Sequence, residues 1–207
     1  AFSGGGADGV LGRLRDIGRQ TTGFAATLAS MGEGEDDGGV DGIEYPGSTL
    51  GNGLRLAADL VASDSGVRIV HLPMGDDFDT HENHRDRHAA NLTDLDEAVE
   101  AFLADLDRRG VADRVLVMTT SEFGRRAGDK GANGLDHGTA SSALLLGPVQ
   151  AGRHGEHPSL SDLDENDNLV ATLGLDSYYA TVADRWFGVP ADELFTSAPP
   201  LLDGVFR

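Results

Sequence analysis

The sequence contains no cysteine, which excludes disulfide bonds, thiolate metal sites and cysteine nucleophiles. Lysine is almost missing, since Lys130 is the only one, and aromatic residues make up only 6% of the chain. No apolar run approaches the roughly 20 residues that a membrane-spanning helix needs. Because thiols are absent, carboxylates and imidazoles are the strong metal ligands that remain.

Acidic residues dominate the charge of the chain. Asp and Glu number 35 against 16 Lys and Arg, which gives a formal net charge of −19 at pH 7. Such a surface disfavours a nucleic-acid partner, because phosphate binding relies on basic patches. The 207 residues, 39% of them hydrophobic, are enough for one sizeable domain or two small ones. Of these we expect a single α/β domain over residues 1–207.

Apolar periodicity predicts helices and strands in alternation. A glycine- and acid-rich stretch at 32–53 predicts a mobile loop within the domain. The order strand, helix, strand in the middle of the chain is typical of a βαβ unit, in which the two strands are parallel. The predicted elements are helices at 10–31 and 50–61, a strand at 67–72, a helix capped by Asp79 or Thr80 that runs to Leu106, strands at 114–118 and 143–146, and a helix at 176–187.

Three histidines fall on the apolar stripe of the central helix. The stripe recurs at steps of three and four residues, and it comprises His81, His84, His88, Leu92, Leu95, Val99, Phe102 and Leu106. Ligands of open α/β sheets bind beside the carboxyl ends of the strands, where this end of the helix is expected to lie. The helix dipole there favours neutral imidazole, the form that binds metals. Together with Asp79, these residues predict a metal or anion site. The alternative is a set of structural histidines in the core.

Polar side chains also accompany the other two predicted strands. Glu122 and Arg125 follow the second strand, while Asp136 and His137 precede the third on a loop that can return to the same edge. We expect Glu122 to act as a ligand or general base and Arg125 to clamp a phosphate or sulfate. Alternatively, Asp136 caps a turn and Glu122 pairs with Arg125. The predicted ligands of a divalent ion, whether zinc, manganese or calcium, are Asp79, His81, His84, His88, Asp136 and His137.

The order of these motifs resembles the C-terminal half of a known family, domain of unknown function 1501. The segments that carry the resemblance are Asp79-Thr80-His81, Ser121-Glu122-Phe123-Gly124-Arg125, Asp136-His137-Gly138, Tyr179-Ala180-Thr181-Val182 and Trp186-Phe187-Gly188. The family is placed with the alkaline phosphatase and sulfatase superfamily. The resemblance covers most of the chain from about Leu50 onward.

The resemblance implies a three-layer α/β sandwich with a mainly parallel sheet, alkaline-phosphatase-like and incomplete in this chain. It implies a metal-dependent hydrolase that acts on small anionic substrates, the phosphate or sulfate esters. His137 resembles the late metal ligand of the superfamily, whereas Glu122-Phe123 stands where an Asp-His pair is usual, so one metal site is expected to be altered or lost.

Family members are about twice as long and are often exported. The resemblance therefore implies an extracytoplasmic or secreted location. It also implies that an N-terminal half, a second polypeptide or another copy of the chain completes the sheet. Two other functions remain open. One is a non-catalytic secreted binding or scaffold protein that retains the fold, and the other is an acidic structural shell protein in which the histidines are incidental.

Overall fold

The computed structural model describes residues 42–74, 78–129, 131 and 133–206. The helix predicted at 10–31 and the first part of the predicted loop, 32–41, lie outside these residues. The elements are α1 (Thr49–Ala62), α2 (His84–Arg108), a 3-10 turn (Ala112–Arg114), β1 (Val117–Met118), β2 (Gly124–Asp129), β3 (Leu135–Gly138), β4 (Leu145–Leu146), α3 (Leu175–Phe187) and α4 (Ala191–Leu194).

The described residues divide into two compact units. The first unit holds 42–74 and 94–111, and the second holds 78–93 and 112–206. Helix α2 therefore contributes its first turns to the second unit and the remainder to the first unit.

Helix α1 forms where the sequence predicted it. Ser48 is its N-cap, because the hydroxyl oxygen of Ser48 accepts a hydrogen bond from the amide of Gly51 at 3.0 Å. The helix buries one apolar face, formed by Leu50, Leu54, Ala57, Ala58 and Leu60. Since α1 begins at Thr49, the end of the predicted loop at 32–53 is helical.

A buried carboxylate lies in the core of the first unit. Asp105 on α2 is fully buried, and its oxygens accept hydrogen bonds from the Tyr45 hydroxyl at 2.9 Å and from Arg109 Nε at 2.6 Å. Arg109 also pairs with Asp59 of α1 at 2.9 Å. Burial of a charge is costly unless the charge is paired. The network therefore requires α1, α2 and the segment around Tyr45 to pack together in one fixed arrangement.

The strand predicted at 67–72 is not formed. The segment is not assigned to a strand in the described structure, and the Ile69 side chain is 75% exposed. Val67 and Val70 are exposed as well. The β-branched residues of this segment favour an extended backbone, but a strand also needs a neighbour for its N–H and C=O groups.

The sheets are antiparallel, so the predicted three-layer sandwich with a mainly parallel, alkaline-phosphatase-like sheet is wrong. In one two-stranded sheet β1 pairs with β4, and in the other β2 pairs with β3, both antiparallel. The predicted βαβ unit fails because its first strand is missing. The connection from β1 to β4 contains the β2–β3 hairpin and no helical crossover, and β4 therefore returns antiparallel to β1.

Helix α3 anchors the second unit. It spans nearly the predicted range and ends at Gly188, which has the left-handed conformation (φ 67°) common at helix C-termini. Its buried Thr181 accepts a hydrogen bond from the amide of Leu202 at 2.8 Å. Tyr178 donates its hydroxyl to the carbonyl of Leu144 at 3.0 Å, which attaches α3 to the strand region around β4.

None of the helices in the described part of the chain is long and apolar enough to cross a membrane.

Candidate metal centre

A tight β-hairpin carries one part of the candidate site. Strands β2 and β3 pair Gly124 with Gly138 and Arg125 with His137. Glycine is needed here, because a Cβ atom at Gly138 would lie 2.6 Å from the backbone carbon of Arg125. The close approach of the two strands places Arg125 and His137 directly opposite each other, on the same face of the hairpin.

The segment before α2 carries the other part of the site. Leu135 donates its amide to the carbonyl of the buried Thr80 at 3.4 Å, and the amide of His84 donates to the carbonyl of Asn133 at 2.8 Å. Gly134 fits closely against His81, since a Cβ at Gly134 would lie 1.8 Å from the His81 carbonyl oxygen. These backbone contacts fix the segment 78–81 against the start of β3.

Helix α2 begins at His84, later than the predicted caps Asp79 and Thr80 imply. The predicted continuation of the helical stripe back to His81 is therefore wrong. Asn83, just before the helix, has a positive φ of 49°, which turns the chain away from the helix axis. His81 and Asp79 consequently lie in the preceding loop, free of helical geometry.

Three of the predicted ligand residues meet at one point. Asp79 Oδ1 lies 3.0 Å from His81 Nε2 and 2.8 Å from His137 Nε2. The two imidazole nitrogens are 3.1 Å apart. One atom from each of these residues could ligate a single metal ion. All three side chains are partly exposed, so small molecules can reach the site from solvent.

Arg125 holds the carboxylate of this group. Its Nη2 donates to Asp79 Oδ1 and to the Phe78 carbonyl, both at 2.8 Å, and its Nη1 donates to the Leu135 carbonyl at 2.5 Å. A hydrogen bond from His137 holds the pKa of the Asp79 carboxyl below its usual range. Burial acts in the opposite direction, and the Arg125 hydrogen bond adds to the lowering. Asp79 is thus kept as an anion, the form that binds a cation.

Asp136 lies behind His81. Its Oδ1 is 3.6 Å from His81 Nδ1, the ring nitrogen opposite to the one that faces Asp79. Carboxylates often occupy this position beside metal-binding histidines, where they fix the orientation of the ring. Asp136 therefore lies where it can support His81, and it is not one of the three converging residues.

His84 and His88 form a separate pair on the first turns of α2. Their rings are 4.8 Å apart, and the His88 ring meets the Phe78 ring edge-on at 5.5 Å. The Thr80 hydroxyl lies 2.5 Å from His84 Nδ1. Burial lowers the pKa of His84, with smaller contributions from His88 and Arg125, which favours the neutral imidazole. Neither residue belongs to the converging group of described residues.

Glu122 is exposed at the start of the hairpin, and it is not part of the converging group either. By contrast, its neighbour Phe123 lies within the site, where its ring stacks on His137 with centroids 3.8 Å apart. Sequence reasoning treated Phe123 only as a departure from a family pattern. Its position two residues before Arg125 was the available signal, because alternate residues of an extended chain share a face.

The three ligand atoms, one oxygen and two nitrogens, suit a divalent ion that binds both oxygen and nitrogen ligands. A tetrahedral zinc ion at about 2.0–2.1 Å from each ligand holds the ligand atoms about 3.3 Å apart. The observed separations of 2.8, 3.0 and 3.1 Å are slightly shorter. The half-exposed histidine rings need only a small outward shift to admit an ion.

The model of one family, described as "Protein of unknown function (DUF1501)", matches residues 26–194. Neither the curated proteins nor the solved structures contain a match to the chain.

Proposed function

We propose that this chain, which belongs to the DUF1501 family, binds one divalent metal ion and hydrolyses phosphate or sulfate esters. The observation that carries the proposal is the convergence of Asp79, His81 and His137. His137 is 56 residues from His81 and 58 residues from Asp79 along the chain. An isolated buried histidine needs no ligand to explain it. Two imidazole nitrogens facing the same carboxylate oxygen are better explained by a cation that binds all three.

The donor set favours zinc among the candidate ions. Two imidazoles with one carboxylate are the protein ligands of several catalytic zinc sites, in which the fourth position is open. Manganese accepts the same donors, although it prefers a larger share of oxygen ligands. Calcium takes six to eight oxygen ligands and is a poor match for two imidazoles. Three protein ligands at an exposed site leave room for a substrate oxygen, which a purely structural zinc site does not provide.

In the proposed reaction, a bound divalent ion supplies Lewis-acid polarisation of the ester oxygen and lowers the pKa of water. Residues of the chain hold the metal ligands in position. Asp79 is kept ionised and oriented by Arg125, while His81 is supported by Asp136. The proposed substrate is a small anionic ester, because the site is open to solvent and cationic when an ion is bound.

Arg125, expected to clamp an anion, forms its hydrogen bonds within the chain. Its two terminal nitrogens already donate to Leu135, Phe78 and Asp79 within the chain. This observation favours a second candidate function, a non-catalytic metal-dependent binding protein. In that case the ion would bind an anionic ligand without turnover. Glu122, which we proposed as general base or ligand, would then have no catalytic part.

The relation to alkaline phosphatases and sulfatases is likewise a proposal. The order of Asp79-Thr80-His81, Ser121 to Arg125 and Asp136-His137 along the chain supports it. Two further proposals rest on the same relation. One is an extracytoplasmic location, and the other is association with a second polypeptide, an N-terminal half or another copy of the chain.

Metal content measured by mass spectrometry tests the proposal. Protein purified with zinc should contain about one ion per chain, and Asp79→Asn or His137→Ala should lose it. His154→Ala is a matched control, because His154 is an exposed histidine of the second unit that is not one of the converging residues. Circular dichroism would show that each variant is folded. Equal metal content in all four proteins would remove the basis of the site.

Turnover distinguishes the two candidate functions. Nitrophenyl phosphate and nitrophenyl sulfate should be hydrolysed by the zinc-loaded protein, and a chelator should stop the reaction. Stoichiometric zinc without hydrolysis of either class of ester would support the non-catalytic binding protein instead.

A further inference from the structure

The Phe123 ring lies flat against one of the proposed metal ligands. Its centroid is 3.8 Å from that of the His137 ring, and the two planes differ by only 10°. The guanidinium carbon of Arg125 lies 5.0 Å from the Phe123 centroid, within the range of a cation–π contact. Phe123 therefore contacts both the histidine ligand and the arginine that holds Asp79.

The hairpin explains why these three side chains meet. His137 is directly opposite Arg125, and Phe123 precedes Arg125 by two residues, so all three lie on one face. Two contacts fix the backbone around Phe123. The Ser121 hydroxyl donates to the Phe123 carbonyl at 2.9 Å, and a Cβ atom at the neighbouring Gly124 would lie 1.8 Å from the carbonyl oxygen of Ala140.

His137 differs from His81 in the protein contacts of its second ring nitrogen. Metal-binding histidines normally donate their second ring nitrogen to a carboxylate, a carbonyl or water. His81 has Asp136 on that side, 3.6 Å from Nδ1. Within the described ranges no residue hydrogen-bonds to His137 Nδ1, and the side chain is 49% exposed. The stacked Phe123 ring is therefore a contact that restricts rotation of the imidazole.

We propose that Phe123 is a positioning residue, which keeps His137 Nε2 directed towards Asp79 and His81. The inference rests on the proposed metal function and assigns a role within that site. A flat contact covers one face of the imidazole and leaves its nitrogen-bearing edge uncovered, so it constrains the ring without competing for the ion. An aromatic residue of similar shape can take this role, whereas an aliphatic residue of similar volume cannot present a flat surface.

Zinc affinity of the full chain, measured by competition with a chromophoric chelator, tests the role. Phe123→Leu should weaken zinc binding roughly tenfold, the lower end of the effect of lost ligand support. Phe123→Tyr should bind within about twofold of the wild type. Phe195→Leu serves as the matched control, because it replaces another partly buried phenylalanine of the second unit, at the end of α4. The thermal midpoint of the metal-free protein should be the same for Phe123→Leu and Phe195→Leu.

A nuclear magnetic resonance measurement without metal separates the contact from the metal function. The ring protons of His137 should be shifted upfield by the Phe123 ring current, and this shift should disappear in Phe123→Leu and persist in Phe123→Tyr. Wild-type zinc affinity in Phe123→Leu would overturn the positioning role alone. Equal loss of affinity in the Leu and Tyr variants would also overturn it. A wild-type protein that shows the ring shift and binds no zinc would overturn the proposed function, and with it the positioning role, while leaving the stacking contact intact.

Discussion

Replacement of Asp105 by alanine should strongly destabilise the first unit. The carboxylate is fully buried and accepts hydrogen bonds from Tyr45 and from two nitrogens of Arg109, at 2.9, 2.6 and 3.1 Å. Its removal deprives two groups of this partner: the partly buried hydroxyl of Tyr45, and the guanidinium of Arg109, which is only 18% exposed. Removal of one partner of a buried ion pair costs about 3–5 kcal/mol. Because Arg109 keeps its contact with Asp59, we expect the lower end, about 3 kcal/mol.

Urea denaturation followed by circular dichroism measures this free energy. With a slope of about 2 kcal/mol per molar urea, a loss of about 3 kcal/mol lowers the midpoint by about 1.5 M. Asp107→Ala is the matched control, since Asp107 is an exposed aspartate on the same helix, and it should change the unfolding free energy by less than about 0.5 kcal/mol.

A double-mutant cycle identifies the source of the loss. Tyr45→Phe should cost about 1 kcal/mol in the wild type, the net contribution of one hydrogen bond. In the Asp105→Ala background the same substitution should cost much less, because the acceptor is already gone. If Asp105→Ala unfolds at the same urea concentration as Asp107→Ala, the buried network does not stabilise the protein and our reasoning about the first unit is wrong.

Two further predictions concern the tyrosine of this network and the packing of the site. Burial raises the pKa of Tyr45 above its ordinary value of 10.0, and the hydrogen bond to Asp105 adds to the rise. The stabilisation from this shift is complete below pH 10 and is lost as the pH rises further, so stability in alkaline buffer should fall less steeply in Tyr45→Phe than in the wild type. A wild type and variant with parallel stability curves above pH 10 would contradict this. Gly134→Ala should displace the backbone of His81 and abolish zinc binding, whereas Gly128→Ala, which meets no atom within 4 Å, should retain it. Chelator competition compares the two, and equal affinities would show that the contact is not required.

Helices α1 and α3 could be predicted from the sequence, because their signals are local. Helix α1 is marked by its apolar face and by the Ser48 cap directly before it. Helix α3 is marked by the glycine directly after it. Each signal acts on residues close to it in the sequence. The start of α2 was placed too early, since Asp79 resembles an N-cap but contacts Arg125 and His137 instead. An aspartate can either cap a helix or bind residues far along the chain. The choice depends on contacts that form only in the folded protein.

Strand pairing could not be predicted, because it depends on partners far along the chain. The apolar pattern located β1 and β4 but gave neither their direction nor the failure of residues 67–72 to pair. For the candidate site, sequence reasoning selected Asp79, His81 and His137, although it expected them on the ends of parallel strands. It also grouped them with His84 and His88, which form a separate pair. Phe123 was missed, because an aromatic residue gives no chemical signal of its own.

The distance along the chain between the proposed ligands has a consequence for folding. Asp79 and His137 are 58 residues apart, so an ion held between them acts as a reversible crosslink across a long loop. The energy of binding then becomes folding energy for the second unit, and at a free zinc concentration 100 times the dissociation constant it amounts to about 2.7 kcal/mol. The first unit contains none of these ligands. Metal starvation would then lower the unfolding free energy of the second unit by this amount.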